Sequence, residues 1–237
     1  MRERPPPRED GGAVDQAAVS FAAPGRRGNN RRMDAIVFDM DGTLFDSTGV
    51  VPDAYIETVV ECGGATYERS DVISAYPLGP PATILAHLFG RPCRDGEVTS
   101  YHDRLQCLAA GITVYPGLVD ALCELAERVP LAVSTGASAN AAEILLDAAR
   151  LSPHFAVVVG GDEVPNPKPA PDGIRLACAL LGVRLDAAAY VGDAEIDLEA
   201  ARRAGAIAIA AGWGHLFCES HNAELVLAKP HELVMLV

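Results

Sequence analysis

Two aspartates, Asp39 and Asp41, stand at the end of the apolar run Ala35 to Phe38, in the stretch AIVFDMDGTLFDS. Carboxylates that close together raise each other's proton affinity and repel. Turn capping accounts for either one, but not for both beside a buried strand. Three further segments carry groups of complementary chemistry. In VSTGAS, Ser134, Thr135 and Gly136 follow an apolar run. Hydroxyls at such a place are either helix N-caps or donors to a bound anion. In PNPKPAP, Lys168 lies between prolines that leave few free amide donors. The chain has one other lysine, Lys229, against seventeen arginines. Lys168 is therefore either a solvated loop residue or a compact point charge chosen over a guanidinium fork. In YVGDAEID, Asp193 directly follows an apolar run and Asp197 falls in the first turn of the next helix. Helix capping is the structural alternative for this pair.

One chemistry uses all four segments. Mg²⁺ favours oxygen ligands and typically takes one or two carboxylates together with waters and a substrate phosphate. Asp39 and Asp193, at neighbouring strand ends, could supply the carboxylates, and the cation's charge would remove the repulsion between the paired acids. Lys168 and Thr135 would hold phosphoryl oxygens, by charge and by hydroxyl donation. One aspartate would attack phosphorus while the other manages the leaving group's proton. The set is suited to phosphoryl transfer.

These residues need a frame that brings distant loops together. AIVFD, LAVST, FAVVVGG, AAYVGD and AIAIAAG read as strands. GLVDALCELAERV, NAAEILLDAARL, DGIRLACALLGV and LEAARRAG read as helices, the last closed by Gly205. ELVLA and HELVMLV finish the chain. This alternation predicts an α/β fold with a doubly wound parallel sheet, whose ligands sit beyond the carboxyl ends of the strands. Residues 48–113 interrupt the alternation. DAYIETVVECGG, PATILAHLFG and TSYHDRLQCLAAG read as helices with no comparably apolar strand between them. They predict a small, separate α-helical unit inserted after the first strand, with GVVPD and GITVYPG as hinges. The expected division is an extension over 1–32, a core over 33–47 and 114–237, and the helical insert over 48–113.

The totals fit this frame. A chain of 237 residues suffices for one large domain or a core with a smaller insert, and 49% hydrophobic with 22% charged residues is ordinary for a soluble globular protein. The net charge of −13 argues against a nucleic-acid partner and means that an anionic ligand must be drawn in by local charge. Six scattered cysteines, without C-x-x-C spacing, read as isolated small hydrophobes in a reducing cytosol. No apolar run approaches the ~20 residues of a membrane span. Residues 1–32 are rich in Pro, Gly and Arg and carry about +3 against about −16 for the remainder. AAVSFAAP is too short an apolar centre for a secretory signal. The segment is expected to be a disordered extension, with a targeting or partner-binding arm as the alternative.

The ordered set DMDGT, VST, the NPKPAP lysine loop and GDAEID resembles the haloacid-dehalogenase-like (HAD) superfamily, and specifically its phosphatases with a helical cap after the first motif. FDS and Val114-Tyr115-Pro116-Gly117 are similar to the phosphoglycolate phosphatase group. The resemblance implies a Rossmann-like core and places the family's nucleophile on Asp39, which would form an aspartyl-phosphate. It places the general acid/base on Asp41, the phosphate-binding hydroxyl on Thr135 beside Gly136, and the family lysine on Lys168. The implied metal ligands are Asp39, Asp193 and the main-chain carbonyl of Asp41, with Mg²⁺ as cofactor. Asp197 is expected to orient a metal-bound water or Lys168, and Gly42 and Thr43 to support the first motif. Gly79, in the cap loop YPLGPPATIL, is expected to approach the substrate closely. Gly212 to His215 would border the site, with His215 an ordinary loop residue.

The implied activity is Mg²⁺-dependent hydrolysis of a small phosphorylated metabolite by a cytoplasmic enzyme with no nucleic-acid or membrane partner. Asp41 speaks against dehalogenation, and the absence of lysine between residues 48 and 113 against the family's phosphonate hydrolysis. A β-phosphoglucomutase-like reaction stays open if Arg69, Arg91, Arg94 or Arg104 replaces the usual cap lysine. So does a non-catalytic metal- or phosphate-binding role.

Overall fold

The five apolar runs become five neighbouring parallel strands. The computed structural model describes residues 33–219 and 222–237, and the expected 1–32 extension lies outside them. In chain order the strands are β1 (Ala35–Phe38), β2 (Phe45–Asp46), β3 (Thr113–Val114), β4 (Leu131–Ser134), β5 (Val157–Val159), β6 (Ala188–Gly192), β7 (Ile207–Ala211) and β8 (Leu225–Leu227). Six form one sheet in the order β5-β4-β1-β6-β7-β8, every pairing parallel. The helices are α1 (Val51–Glu61), α2 (Arg69–Ala75), α3 (Pro81–Phe89), α4 (Glu97–Leu108), α5 (Leu118–Ala126), α6 (Ala139–Ala148), α7 (Asp172–Leu181) and α8 (Glu195–Ala204).

Strand periodicity explains the layers. Successive side chains point to opposite faces, and the register aligns Ile36 with Leu131 and Ala189, and Val37 with Ala132 and Tyr190. The Ile36 row packs into an apolar cluster with Leu122 and Leu125 of α5 and Leu145 of α6. The Val37 row packs with Ile174 of α7 and Leu198 and Ala201 of α8. Both faces are covered, which is why the strands read as continuous apolar runs rather than as alternation. The result is the doubly wound α/β architecture that the sequence predicts.

Residues 48–113 hold α1 to α4 and contribute no strand to the large sheet. The helices α1, α3 and α4 fall on the three segments read as helical. The helix α2 has no counterpart in the sequence reading, because it buries only Val72 and Ala75 and so lacks a long apolar stripe. Its start is fixed locally by the Asp71 carboxylate, which accepts the Glu68 N–H at 3.1 Å. Pro81 begins α3, where a missing N–H costs nothing. Where the insertion leaves and returns, β2 and β3 pair antiparallel, Phe45 opposite Val114. Ala54, Tyr55, Leu85, Tyr101 and Leu105 of the insertion belong to the same continuous apolar cluster as the Ile36 face. HELVMLV forms a 3₁₀ turn over Pro230–Leu236 that buries Leu233 and Val234. None of the six cysteines is in a disulfide. Among the described residues no helix is long and apolar enough to cross a membrane.

A shared apolar cluster makes the insertion and the sheet unfold together. Leu105→Ala, at a fully buried position of α4, is expected to cost about 2–5 kcal/mol in one cooperative transition. Circular dichroism and the fluorescence of Trp213, the single tryptophan, would then report the same midpoint. Two separate transitions would contradict this.

Candidate active site

Strand order places the chemistry. Because β4 and β6 flank β1, the residues after their carboxyl ends, Asp39, Thr135 and Asp193, become neighbours. Lys168 arrives from the loop between β5 and α7, and Asp197 from the first turn of α8. With Asp41, Gly136 and Gly79, these residues line one cavity of about 420 Å³.

Lys168 is the centre of the bonding. Its Nζ donates to Asp39 Oδ1 at 2.5 Å and to Asp197 Oδ1 at 2.6 Å, with the Tyr190 hydroxyl at 3.4 Å. The second oxygen of Asp197 accepts the Ala194 N–H at 3.0 Å. Asp197 therefore caps its helix and holds Lys168 at once. Of the hydroxyls in VSTGAS, Ser138 takes the capping role, accepting the Ala141 N–H at 3.2 Å. Thr135 is thereby left facing the cavity. Its Oγ1 accepts the Ala137 N–H at 3.2 Å, which leaves its own proton to donate.

Charge and burial oppose each other here. Burial raises the Asp39 pKa, and the negative charge of Asp197 raises it further, against the opposing pull of Lys168. Burial likewise raises Asp41, with Ser47, Lys168 and His215 pulling partly back. Asp193 is pushed up to about 6, by burial first and by Asp197 next. For Lys168 burial acts to lower the pKa, but Asp197 and Asp39 outweigh it and hold the ammonium well above its ordinary value.

Supporting contacts come from a segment whose importance the sequence reading understated. The Leu216 N–H donates to Asp193 Oδ2 at 2.9 Å, and the Trp213 indole N–H to the Thr43 carbonyl at 2.9 Å. A Cβ on Gly214 would lie 2.2 Å from Asp193 Cβ and 2.4 Å from the Gly42 carbonyl. Gly42 itself has φ +82°, and a Cβ there would sit 2.3 Å from Asp193 Oδ2. The glycine pair around the aromatic in GWGH was the available signal. His215 does not line the cavity; its Nδ1 meets the Tyr115 hydroxyl at 3.2 Å. Thr43 is buried behind the site, its hydroxyl without a partner. Gly79 stands at φ +113°, where a Cβ would touch Pro167 of the lysine loop at 3.5 Å.

The donor set fits a hard divalent cation. Asp39, Asp193 and Asp197 offer carboxylate oxygens within 4.8 Å of one another. Asp193 Oδ1 and Asp41 Oδ1 are buried with no hydrogen-bond partner, a state that costs about 1–3 kcal/mol per group or more for a charge. Oxygen-only ligands in a small cluster suit Mg²⁺ better than softer metals. The arginines of the insertion do not reach the cavity. Arg69 pairs with Asp53 at 2.6 Å, Arg91 with Glu97 at 2.5 Å and Arg104 with Glu61 at 2.9 Å.

The model of the haloacid dehalogenase-like hydrolases matches residues 33–205. The chain belongs to that family. It is similar to the phosphoglycolate phosphatase of Chromobacterium violaceum, with 32% identity over 86% of this chain and 96% of that protein. It is also similar to pyrophosphatase PpaX of Bacillus velezensis, with 27% identity over 86% of this chain and 96% of the relative. Among solved structures, a variant of CbbY from Rhodobacter sphaeroides in complex with xylulose-(1,5)bisphosphate superposes with a TM-score of 0.73 at 27% identity, covering 85% of this chain and 96% of that one. Family and relatives together make this HAD hydrolase a phosphatase.

The raised pKa of Asp193 has a direct stability consequence. Its folded value of about 6 lies above the ordinary 3.8, so ionisation favours the unfolded chain. The penalty is complete above pH ~6 and vanishes below pH ~4, where both states hold the proton. Asp193→Asn is therefore expected to stabilise the metal-free protein by about 1–3 kcal/mol at pH 7 and by nothing near pH 4. Thermal unfolding in a chelator at the two pH values measures this; a variant less stable than the parent at pH 7 contradicts it.

Proposed function

We propose that this HAD phosphatase is a Mg²⁺-dependent enzyme that hydrolyses a small organic phosphomonoester through an aspartyl-phosphate on Asp39. The observation that carries the reading is the convergence of Asp39, Asp41, Thr135, Lys168 and Asp193 on one cavity, with Lys168 within hydrogen-bond reach of Asp39. Asp39, Asp193 and the Asp41 carbonyl would hold the cation. When bound, it supplies charge against the phosphoryl oxygens and relieves the repulsion among the carboxylates.

The chain's own groups then have separable tasks. An Asp39 carboxylate oxygen attacks phosphorus, forming one P–O bond as the ester P–O bond breaks. Asp41, whose pKa burial raises, delivers its proton to the departing oxygen. It next takes a proton from the water that attacks the aspartyl-phosphate, and inorganic phosphate leaves with Asp39 restored. Lys168 and the Thr135 hydroxyl face the charge that develops on the equatorial oxygens. Asp197 keeps Lys168 aimed at that place. The helices over residues 48–113 act as a cap that excludes bulk water. Six cysteines outside disulfides agree with a reducing, cytoplasmic setting.

Two alternatives have less support. A sugar-phosphate mutase must hold a second phosphate with cap cations, and Arg69, Arg91, Arg94 and Arg104 all lie off the cavity wall. A non-catalytic binding protein would have no use for Asp41 as a half-buried proton donor beside the phosphate site. An aryl-phosphate assay with and without Mg²⁺ separates binding from catalysis, and chelation is expected to remove turnover.

Asp39→Asn is expected to abolish turnover with the far-UV spectrum unchanged; residual phosphatase activity in that variant would refute Asp39 as the acceptor. Lys168→Ala removes the shared counter-ion of two buried carboxylates. It is expected to weaken inhibition by inorganic phosphate and lower kcat/KM by at least ~100-fold, the scale at which one charge-stabilising donor contributes. An unchanged rate would remove Lys168 from the site.

A further inference from the structure

The carbon body of the substrate must occupy the cavity beyond the acidic centre, and that half has its own chemistry. Its walls include Val51, Tyr55, Ile73, Tyr76, Ile84 and Tyr101, all from the inserted helices and their connections. The Tyr55 and Tyr101 rings stack with centroids 4.2 Å apart and an interplanar angle of 25°. The Tyr76 hydroxyl is buried and has no hydrogen-bond partner. Burial raises all three phenols, so they stay neutral at physiological pH.

Cationic groups are scarce there. Among the described residues Lys168 is the one Lys, Arg or His side chain on the cavity wall, and Asp39 and Asp197 already occupy it. Four buried or half-buried aspartates of the centre, Asp39, Asp41, Asp193 and Asp197, face that single ammonium. With Asp41 protonated for its role as proton donor, a bound divalent cation and Lys168 only balance the other three aspartates. A phosphoryl group then adds its own charge, and Glu195 stands on the same wall. A second anion on the substrate would be buried among tyrosines and aliphatic side chains, with neutral hydroxyls but no free cation to pair it.

The space is also larger than a two-carbon acid needs. The cavity of about 420 Å³ lies within the range of pockets that hold small organic ligands, about 300–1,000 Å³, and leaves room beside the phosphoryl group for a ring-sized body.

Resting on the phosphatase reading above, we propose that the substrate is the phosphomonoester of an uncharged, largely apolar alcohol of about ring size. Esters carrying a second anion, carboxylate or phosphate, are rejected. The Tyr55–Tyr101 stack, itself almost wholly buried, backs the apolar wall beside which the alcohol lies, and the Tyr76 hydroxyl meets a neutral polar atom on it. Substrate choice thus lies in the inserted helices, while bond breaking lies at the sheet.

Benzyl phosphate and 2-phosphoglycolate test this, because both are primary alkyl esters and differ mainly in the second charge and the size of the body. With the full chain and Mg²⁺, kcat/KM for benzyl phosphate is expected to exceed that for 2-phosphoglycolate by roughly 100-fold, the discrimination that one mismatched group can give by binding alone. Ile73→Arg, which places a guanidinium at a half-buried position on the wall, is expected to narrow that ratio at least ~10-fold by improving the acid. Equal rates, or a preference for 2-phosphoglycolate, would overturn the proposal and leave the phosphatase reading standing. Failure to hydrolyse either ester or 4-nitrophenyl phosphate would remove the phosphatase reading and this proposal together. The wild-type pair decides the matter even if the variant does not fold.

Discussion

Four aspartates around one ammonium, withdrawn from water at the edge of a parallel sheet, are the constraint to which the rest of the molecule answers. In a medium of low polarizability, carboxylates cannot stand together unless each oxygen has a partner or a cation. The surrounding contacts meet that demand one oxygen at a time. Lys168 serves Asp39 and Asp197, the amide of Ala194 serves the other side of Asp197, and the amide of Leu216 serves Asp193. The oxygens left over on Asp41 and Asp193 mark where the protein alone is incomplete. Without a cation the site carries a local charge penalty, a common cost of catalytic centres.

Much of the site was legible because its chemistry lies in side chains of rare type at strand ends. Asp39, Thr135 and Asp193 each stand at the end of an apolar run, and parallel strands put all such ends on one edge; Lys168 stood out as one of two lysines among nineteen basic residues. What was not legible acts without a distinctive side chain. Leu216 contributes an amide N–H, which any residue but proline offers, and Gly214 contributes the lack of a Cβ. Trp213 contributes its indole N–H to a backbone carbonyl. The three hydroxyls of VSTGAS could not be ranked from spacing. Only the fold shows that Ser138 caps α6 and so frees Thr135.

The cavity wall was hidden for a different reason. Tyr55 and Tyr101 stand at positions of α1 and α4 that read as the apolar stripe of any packed helix, and they are in fact part of the continuous core. That they also line the cavity has no signature in the sequence. The helix α2 escaped because seven residues with two buried positions carry too little periodicity to register. Relatives named for phosphoglycolate and for pyrophosphate align along most of this chain. Their shared scaffold accounts for the shared family; it leaves the identity of the alcohol to be fixed by residues such as these.

The short ribbon of β2 and β3 bears on how such a family diversifies. Phe45 and Asp46 sit opposite Val114 and Thr113, so the chain departs from the sheet and rejoins it at the same spot. Closing a loop whose ends already touch depends only logarithmically on its length, about 0.6 kcal/mol for each doubling. Loop closure therefore sets little limit on the length of the excursion between those four residues, provided that a replacement covers the same apolar face. A lineage could retool the leaving group it recognises by replacing one cassette, while the acid-rich edge beneath is inherited untouched.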